Sequence, residues 1–397
     1  MSPDIYYKKT LTYKYGHRQL QFRVSQDLFS SFQVDIGTQF LIRTMTLGHP
    51  FPFRKILDLG CGYGPIGITL QSLHPDAAVH MVDKDALAVD YTRQNVALNN
   101  LSNATVFGSL GYENLTVHDY DLIVSNIPAK AGEPVIKHWL EDAVDYLAPG
   151  GSVAVVVVKT LETAVRAILT GNPDIEIVRE NTRPGHIVFQ YRFNQHPQHP
   201  LQGTNDIYSR GIQDFTGEDV SYRLEEAYGL ETYGDLPYAT TLLLGEITGL
   251  SRKKIHHCLV YNPGAGHLPV VLSKLLSPFD ITLTDRDLLG LKYAQRNLIL
   301  NGYPAGNIRL THQVGFAAGE DKMDFIAGFL REEEGPAAVT FTVRQIAAAL
   351  NNNGLMILAG SSTGITRVAD SLPDDVRLKE LNRQKYRGFS VITLLRI

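Results

Sequence analysis

Two carboxylates and a run of glycines carry the chemistry this sequence could do. Asp58 ends the apolar run Lys55–Leu59, two residues before Gly60, and further glycines stand at 62, 64 and 67. Ile66, Ile68, Leu70 and Leu73 then repeat at helical spacing. Strand, glycine turn and helix N-terminus form the cradle in which α/β proteins hold nucleotide-like ligands. An anion at Asp58 would repel a phosphate and attract a cationic amino acid. Asp83 lies 25 residues further on, at the end of the apolar run Ala78–Val82. An acid there can take both ribose hydroxyls of an adenosine. S-adenosylmethionine, with its ammonium, its positive sulfur and its adenosine, suits both acids. The competing reading is NAD, because Gly62-Tyr-Gly64-Pro-Ile-Gly67 fits the pattern G-x-G-x-x-G.

The elements that must position these groups alternate. Gln19–Val24 reads as a strand of a small antiparallel extension, and Gln39–Leu47 as a helix. After the glycine turn the sequence predicts a strand at Ala78–Val82, a helix at Ala86–Asn99 and strands at Leu101–Phe107 and Asp121–Asn126. A helix at Val135–Leu147 is expected to stop at Pro149-Gly150-Gly151. A strand at Val153–Val158, a helix at Thr160–Leu169 and closing strands at Ile175–Val178 and His186–Phe193 complete the pattern. This implies a doubly wound, mostly parallel sheet with an antiparallel edge hairpin, its ligand at the carboxyl ends of the strands.

Composition bounds the setting. The chain has 397 residues, 44% of them hydrophobic and 20% charged, which suits a globular protein of two or three domains. A net charge of −4 excludes a molecule that is basic all over. Residues 8–23 nevertheless hold Lys8, Lys9, Lys14, His17, Arg18 and Arg23 among Tyr13, Tyr15 and Phe22, a pattern that could greet a nucleic acid. Cys61 and Cys258 are too few and too far apart for a disulfide framework and suit a reducing cytoplasm. No apolar leader is expected at the N-terminus. The longest apolar run, Val153–Val158, is too short to span a bilayer.

Residues 194–207, polar and rich in Pro and Gly, read as a linker between domains at 1–193 and 208–397. Beyond it the first half repeats, at offsets of 200 to 204 residues. Thr284-Asp285-Arg-Asp287 lies over Val82-Asp83-Lys-Asp85. Tyr293, Asn297 and Asn301 lie over Tyr91, Asn95 and Asn99. Leu350–Gly354 lies over Leu147–Gly151, and Asp235 over Asp35. Laying Val260–Pro269 over Leu57–Pro65 turns Asp58 into Asn262, Gly64 into Leu268 and Gly67 into Val271. Asn126-Ile-Pro128 becomes Phe329-Leu-Arg331. The second copy is expected to be degenerate.

Asp58-x-Gly60-x-Gly62, Asp83 and Asn126-x-Pro128 together resemble class I S-adenosylmethionine-dependent methyltransferases. Val34-Asp35-Ile-Gly37-Thr38, Asn95-x-x-x-Asn99 and Asn126-Ile-Pro-Ala-Lys-Ala-Gly132 narrow this to the small-domain group related to ribosomal RNA guanine-N2 methyltransferases. The tandem arrangement is similar to that of the two-domain ribosomal RNA enzymes, in which the degenerate copy usually comes first. The resemblance implies two Rossmann-like domains and S-adenosyl-L-methionine as cofactor. It places Asp35, Thr38, Asp58, Gly60, Cys61, Gly62, Tyr63, Gly64, Asp83, Lys84, Ser109 and Asn126 at that cofactor. It makes Asn126, Ile127 and Pro128 catalytic. The Asn126 side-chain oxygen and the Ile127 carbonyl would each accept an N–H of the acceptor amine, turning its lone pair toward the methyl group. Lys130, Arg18 and Arg23 are candidates for the substrate, expected to be an RNA base amine. Neither a metal nor a membrane is expected. Ile127 stands where the family usually has Pro, and Ala129 where an aromatic residue is frequent. A small-molecule or protein-amide methyltransferase and a non-catalytic binding scaffold remain the other readings.

Overall fold

The computed structural model describes residues 4–47, 53–195, 206–217, 220–230, 234, 236–248, 250, 255–316, 322–372 and 377–397. These form two compact units: Tyr7–Tyr208, and Ser209–Ile397 together with Met1–Tyr6. Most of the expected linker, and Asp235, lie outside the described residues.

The first unit opens with a hairpin, β1 (Tyr7–Tyr15) and β2 (Arg18–Ser25), and the helix α1 (Ile36–Thr46). Then follow β3 (Lys55–Leu59), α2 (Pro65–Leu73), β4 (Ala78–Asp83), α3 (Ala86–Leu98), β5 (Ala104–Gly108) and β6 (Tyr120–Asn126). The helix α4 (Glu133–Glu141), β7 (Leu147–Val158), α5 (Glu162–Gly171), β8 (Ile175–Arg183) and β9 (His186–Phe193) complete it. The sheet runs β5-β4-β3-β6-β7-β9-β8, parallel from β5 to β7. The last two strands are antiparallel. The strand order reverses between β3 and β6, and the crevice there is where such sheets bind ligands. Ile56, Leu57, Leu122 and Val124 are fully buried on these two strands. Each contributes roughly 1.5–3 kcal/mol of burial, so the site rests on fully buried strands.

One helix differs from its expected extent. α4 ends at Glu141, a 3₁₀ turn follows at Asp142–Tyr146, and Pro149-Gly150-Gly151 lies inside β7. There the pairing jumps from Tyr120↔Leu147 to Leu122↔Ser152, and Gly150 takes φ 80°. The Pro-Gly-Gly segment is a bulge in a central strand, a second use of the same residue types.

The second unit repeats the order. Its hairpin is β10 (Ser209–Gly217) and β11 (Val220–Ala227). After it come α6 (Tyr238–Thr248), β12 (His257–Tyr261), α7 (His267–Leu276), β13 (Asp280–Asp285), α8 (Leu288–Leu300) and β14 (Ile308–His312). β15 (Met323–Phe329), α9 (Pro336–Ala349), β16 (Leu350–Ser361), α10 (Ser362–Asp370), β17 (Leu378–Tyr386) and β18 (Phe389–Arg396) follow. Its sheet, β14-β13-β12-β15-β16-β18-β17, matches the first strand for strand.

The structure corrects the register of the repeat at the glycine turn. Gly64 and Gly266, both left-handed and both preceding a helix, are 202 residues apart. So are Asn95 and Asn297, which donate to the Tyr63 and Ala265 carbonyls. At that spacing Asp58 corresponds to Val260, Gly60 to Asn262 and Gly67 to Pro269, while Gly62 and Gly64 survive as Gly264 and Gly266. The Leu268-Pro269 pair resembles Gly64-Pro65 but sits inside the first turn of α7. A helix tolerates proline there because that N–H has no intrahelical partner. The same spacing sets Pro237 opposite Asp35, since both carbonyls accept the first bond of their helix, from Thr241 and Gln39.

Candidate active site

Asp58 lies beneath the glycine turn with no exposed surface. Its Oδ2 accepts the Gly67 N–H at 2.8 Å, so a strand carboxylate caps the first turn of α2. Its buried Oδ1 has no hydrogen-bond partner among the described residues. Burial pushes the carboxyl up to about 7; the Gly67 bond opposes this and the charge of Asp83 adds to it. A Cβ at Gly67 would lie 2.6 Å from the Met81 side chain, so this close approach needs glycine. In the second unit Val260 and Pro269 have removed acceptor and donor together.

Asp83 takes the Gly62 N–H on Oδ2 (2.9 Å) and the Asp85 N–H on Oδ1 (3.0 Å). Burial raises it to about 6. Gly60 and Gly62 have φ of 75° and 58°, and a Cβ on either would meet nothing within 4 Å. The turn therefore presents bare backbone to open space between two acids, one with an orphaned oxygen. This arrangement fits a ligand with a cationic amino-acid end and a ribose.

Asn126 ends β6 beside the start of α1. Its Nδ2 donates to Asp35 Oδ2 (3.1 Å) and to Thr38 Oγ1 (3.0 Å). Asp35 is also the N-cap of α1, accepting the Thr38 N–H at 3.0 Å. A carboxylate only accepts, so the amide is held with its nitrogen inward and Oδ1 as the unengaged acceptor. Asp35 and Thr38, expected on the cofactor, therefore orient Asn126. The Ile127 N–H is tied to the Val156 carbonyl at 3.0 Å, and its side chain is buried. Pro128 and Lys130 are exposed.

The remaining candidates are placed as follows. The Tyr63 ring is buried edge-on against Phe22, 5.7 Å between centroids. Cys61 is buried with Sγ 3.6 Å from Thr92 Oγ1. The Ser109 hydroxyl donates to the Gly111 carbonyl (2.7 Å) and accepts the Asn114 N–H (3.1 Å), while its own N–H bonds the Asp83 carbonyl. Lys84 is partly exposed beside Asp83. Arg23 covers the Tyr7 ring at 4.4 Å. Arg18, at the hairpin tip opposite Tyr15, is six residues along β1 from Lys9, roughly 20 Å at strand rise. The basic residues of the hairpin are thus not one cluster.

His186 was not singled out by sequence; a lone histidine after a Pro-Gly turn carries no signal. Its Nδ1 is buried without a partner among the described residues. A Cβ on Gly37 would lie 2.8 Å from His186 Cδ2 and 3.0 Å from Asp35 Oδ2. Gly37→Ala is expected to push Asp35 off Asn126 and lower kcat about 10–100-fold, since small misplacements at a reacting centre are costly. The cofactor affinity should hold; steady-state kinetics at wild-type rates would show that this contact does not matter.

An open sheet of this order, with an acid-flanked glycine turn at its reversal point, defines a class I methyltransferase. The methyltransferase small domain family model matches residues 19–180. An uncharacterized protein of Bacillus subtilis (strain 168), YbxB, is 30% identical over 153 residues, 38% of this chain and 75% of that protein. The chain belongs to the methyltransferase small domain family. The ribosomal RNA large subunit methyltransferase G of Shewanella halifaxensis is 32% identical over 160 residues. The match spans only 37% of each chain. Among solved structures, a T. thermophilus 16S rRNA N2 methyltransferase (RsmC), in complex with AdoMet and guanosine, shares the fold across 98% of both chains. Its TM-score is 0.68 and its identity 18%. Among the described residues no helix is long and apolar enough to cross a membrane.

Proposed function

We propose that the first unit transfers a methyl group from S-adenosyl-L-methionine to the exocyclic amine of an RNA base, a guanine N2 in ribosomal RNA, in the cytoplasm. The observation that carries this is the locked amide of Asn126, whose Oδ1 faces away from its two acceptors. The partial likeness to a ribosomal RNA methyltransferase supports the substrate class. The donor, when bound, supplies a methyl group on a positively charged sulfur. Asp58 and the Gly60–Gly64 backbone would hold its amino-acid end, and Asp83 its ribose. Asn126 Oδ1 and the Ile127 carbonyl would take the two N–H groups of the acceptor and orient its lone pair. Most of the catalysis is then position and electrostatics.

We propose the domain roles in the same way: residues 1–193 catalytic, 194–207 a linker, 208–397 degenerate. In the second unit Arg331 Nη2 bonds Asp285 Oδ1 at 2.6 Å, and Asn262 Nδ2 donates to the Phe329 carbonyl at 2.8 Å. The acid opposite Asp83 is thus already paired. Calorimetry is expected to give one S-adenosylmethionine per chain; two would overturn the assignment of the second unit. Transfer of labelled methyl from the donor to total RNA, protein and metabolite extracts tests the substrate. Label in RNA supports the reading, and label only in protein or metabolites defeats it.

A further inference from the structure

The loop between β2 and α1, residues 26–35, exposes two phenylalanines. Phe29 and Phe32 each have 72% of their surface open to solvent. Two lysines attend the second. Lys8 Nζ stands 3.5 Å from the Phe32 ring centroid and Lys9 Nζ 5.0 Å. Lys8 also donates to Ser31 Oγ (3.0 Å) and Lys9 to the Phe32 carbonyl (2.8 Å).

Neighbours on a strand normally point to opposite faces. Here the register shifts between Tyr7 and Lys9, with Tyr7 opposite Ser25 and Lys9 opposite Val24. The bulge at Lys8 brings both ammonium groups to one ring. Phe32 is three residues from Asp35, so their Cα atoms are at most about 11 Å apart. Asp35 holds Asn126. An exposed ring with two cations therefore sits at most about 11 Å, Cα to Cα, from the residue that holds Asn126.

The second unit supplies a control. Its loop between β11 and α6 has the same length, and its hairpin carries the same bulge, between Ser209 and Gly211. At the 202-residue spacing Lys9 becomes Gly211 and Phe32 becomes Gly234. Only Lys8 keeps its charge, as Arg210. The copy that lost Asp58 and Asn126 has also lost the ring and one of its cations.

We infer that Phe32, flanked by Lys8 and Lys9, is a stacking platform for an unpaired RNA base, with the two ammonium groups on the neighbouring phosphates. This rests on the RNA reading above and names where the RNA is gripped. It also supplies the aromatic surface that Ala129 does not. Base–aromatic stacking in such sites is sequence-tolerant and falls about 5–150-fold when the ring is removed.

Phe32 is exposed, so Phe32→Ala is expected to leave the thermal midpoint and the S-adenosylmethionine affinity unchanged. Binding of a short fluorescent single-stranded oligoribonucleotide should weaken by about 10-fold, within the range for one stacked base. KM for RNA should rise with it, and Phe32→Trp should restore both. Lys8→Gln with Lys9→Gln should flatten the salt dependence of binding by about 1.4 in log–log slope, at ~0.7 per phosphate contact on a single strand. Wild-type RNA binding and KM in Phe32→Ala overturn the platform while leaving the RNA reading in place. A wild-type chain that labels no RNA overturns both.

Discussion

Asn126→Ala is expected to lower kcat by on the order of 10²–10³ while leaving the S-adenosylmethionine affinity within about threefold of wild type. The asymmetry follows from the bonds. Asn126 spends both of its N–H groups on Asp35 and Thr38, and neither belongs to the glycine turn. Only Oδ1 is left to act, and in the proposed mechanism it acts on the acceptor. Asp35→Asn is the sharper test, because it removes no volume. Asparagine at 35 can donate as well as accept, so the amide at 126 is no longer forced to one orientation. Half-flipped, it would offer an N–H to an amine that needs an acceptor. A loss of about 10-fold in kcat is expected, smaller than for removal of the oxygen altogether. Thr38→Val, which removes one of the two acceptors but keeps the shape, should lie between wild type and Asp35→Asn. Asn126→Ala retaining more than about a tenth of wild-type turnover would falsify the role given to this side chain.

The sequence and the structure agree where local chemistry alone decides. β3 and β9 occupy the residues read for them: β3 is a short apolar run in the parallel part of the sheet, and β9, an antiparallel strand, follows directly on the Pro184-Gly185 turn. Asp58, Asp83 and Asn126 stand at strand ends, as their spacing implied. What was illegible depends on long-range pairing. Asp35 was recognisable as a residue of interest, yet its partner is 91 positions away. The Pro-Gly-Gly segment carries a turn signal, and only the neighbouring strand makes it a bulge. Pro65 and Pro269 suggest a spacing of 204 residues at the glycine turn, whereas the two left-handed helix caps, Gly64 and Gly266, are 202 apart. The hydrogen bonds of Asn95 and Asn297 settle the matter. Asp58 was not softened to an amide. It became Val260, and the Gly67 N–H it capped became a proline, so the loss is a matched pair of changes that leaves no orphaned group.

Asp58→Asn is expected to raise the stability of the free protein above pH 7 and to weaken S-adenosylmethionine binding in the same variant. The sign follows from the carboxyl's elevation to about 7 in the folded state, caused first by burial. The unfolded group titrates near 3.9. Between these values the folded chain keeps a proton that the unfolded chain has released, so stability falls as pH rises from about 4 to about 7 and then levels off. Asp83, raised to about 6, adds to the same fall. Removing the ionisable group at 58 should return roughly 2–4 kcal/mol at pH 8, because asparagine can still accept the Gly67 N–H and buries no charge. The ligand reads the same proton in reverse. A cationic amino-acid end favours ionised Asp58, so wild-type affinity should rise up to about tenfold per pH unit below 7 and flatten above it. In Asp58→Asn this rise should disappear and affinity at pH 8 should drop by about 10-fold or more, the size of a charge-assisted contact. Thermal melts and calorimetry from pH 5.5 to 8.5 measure both quantities on one preparation. A variant that melts lower at pH 8, or that keeps the wild-type pH dependence of binding, removes Asp58 as the buried charge beneath the cofactor.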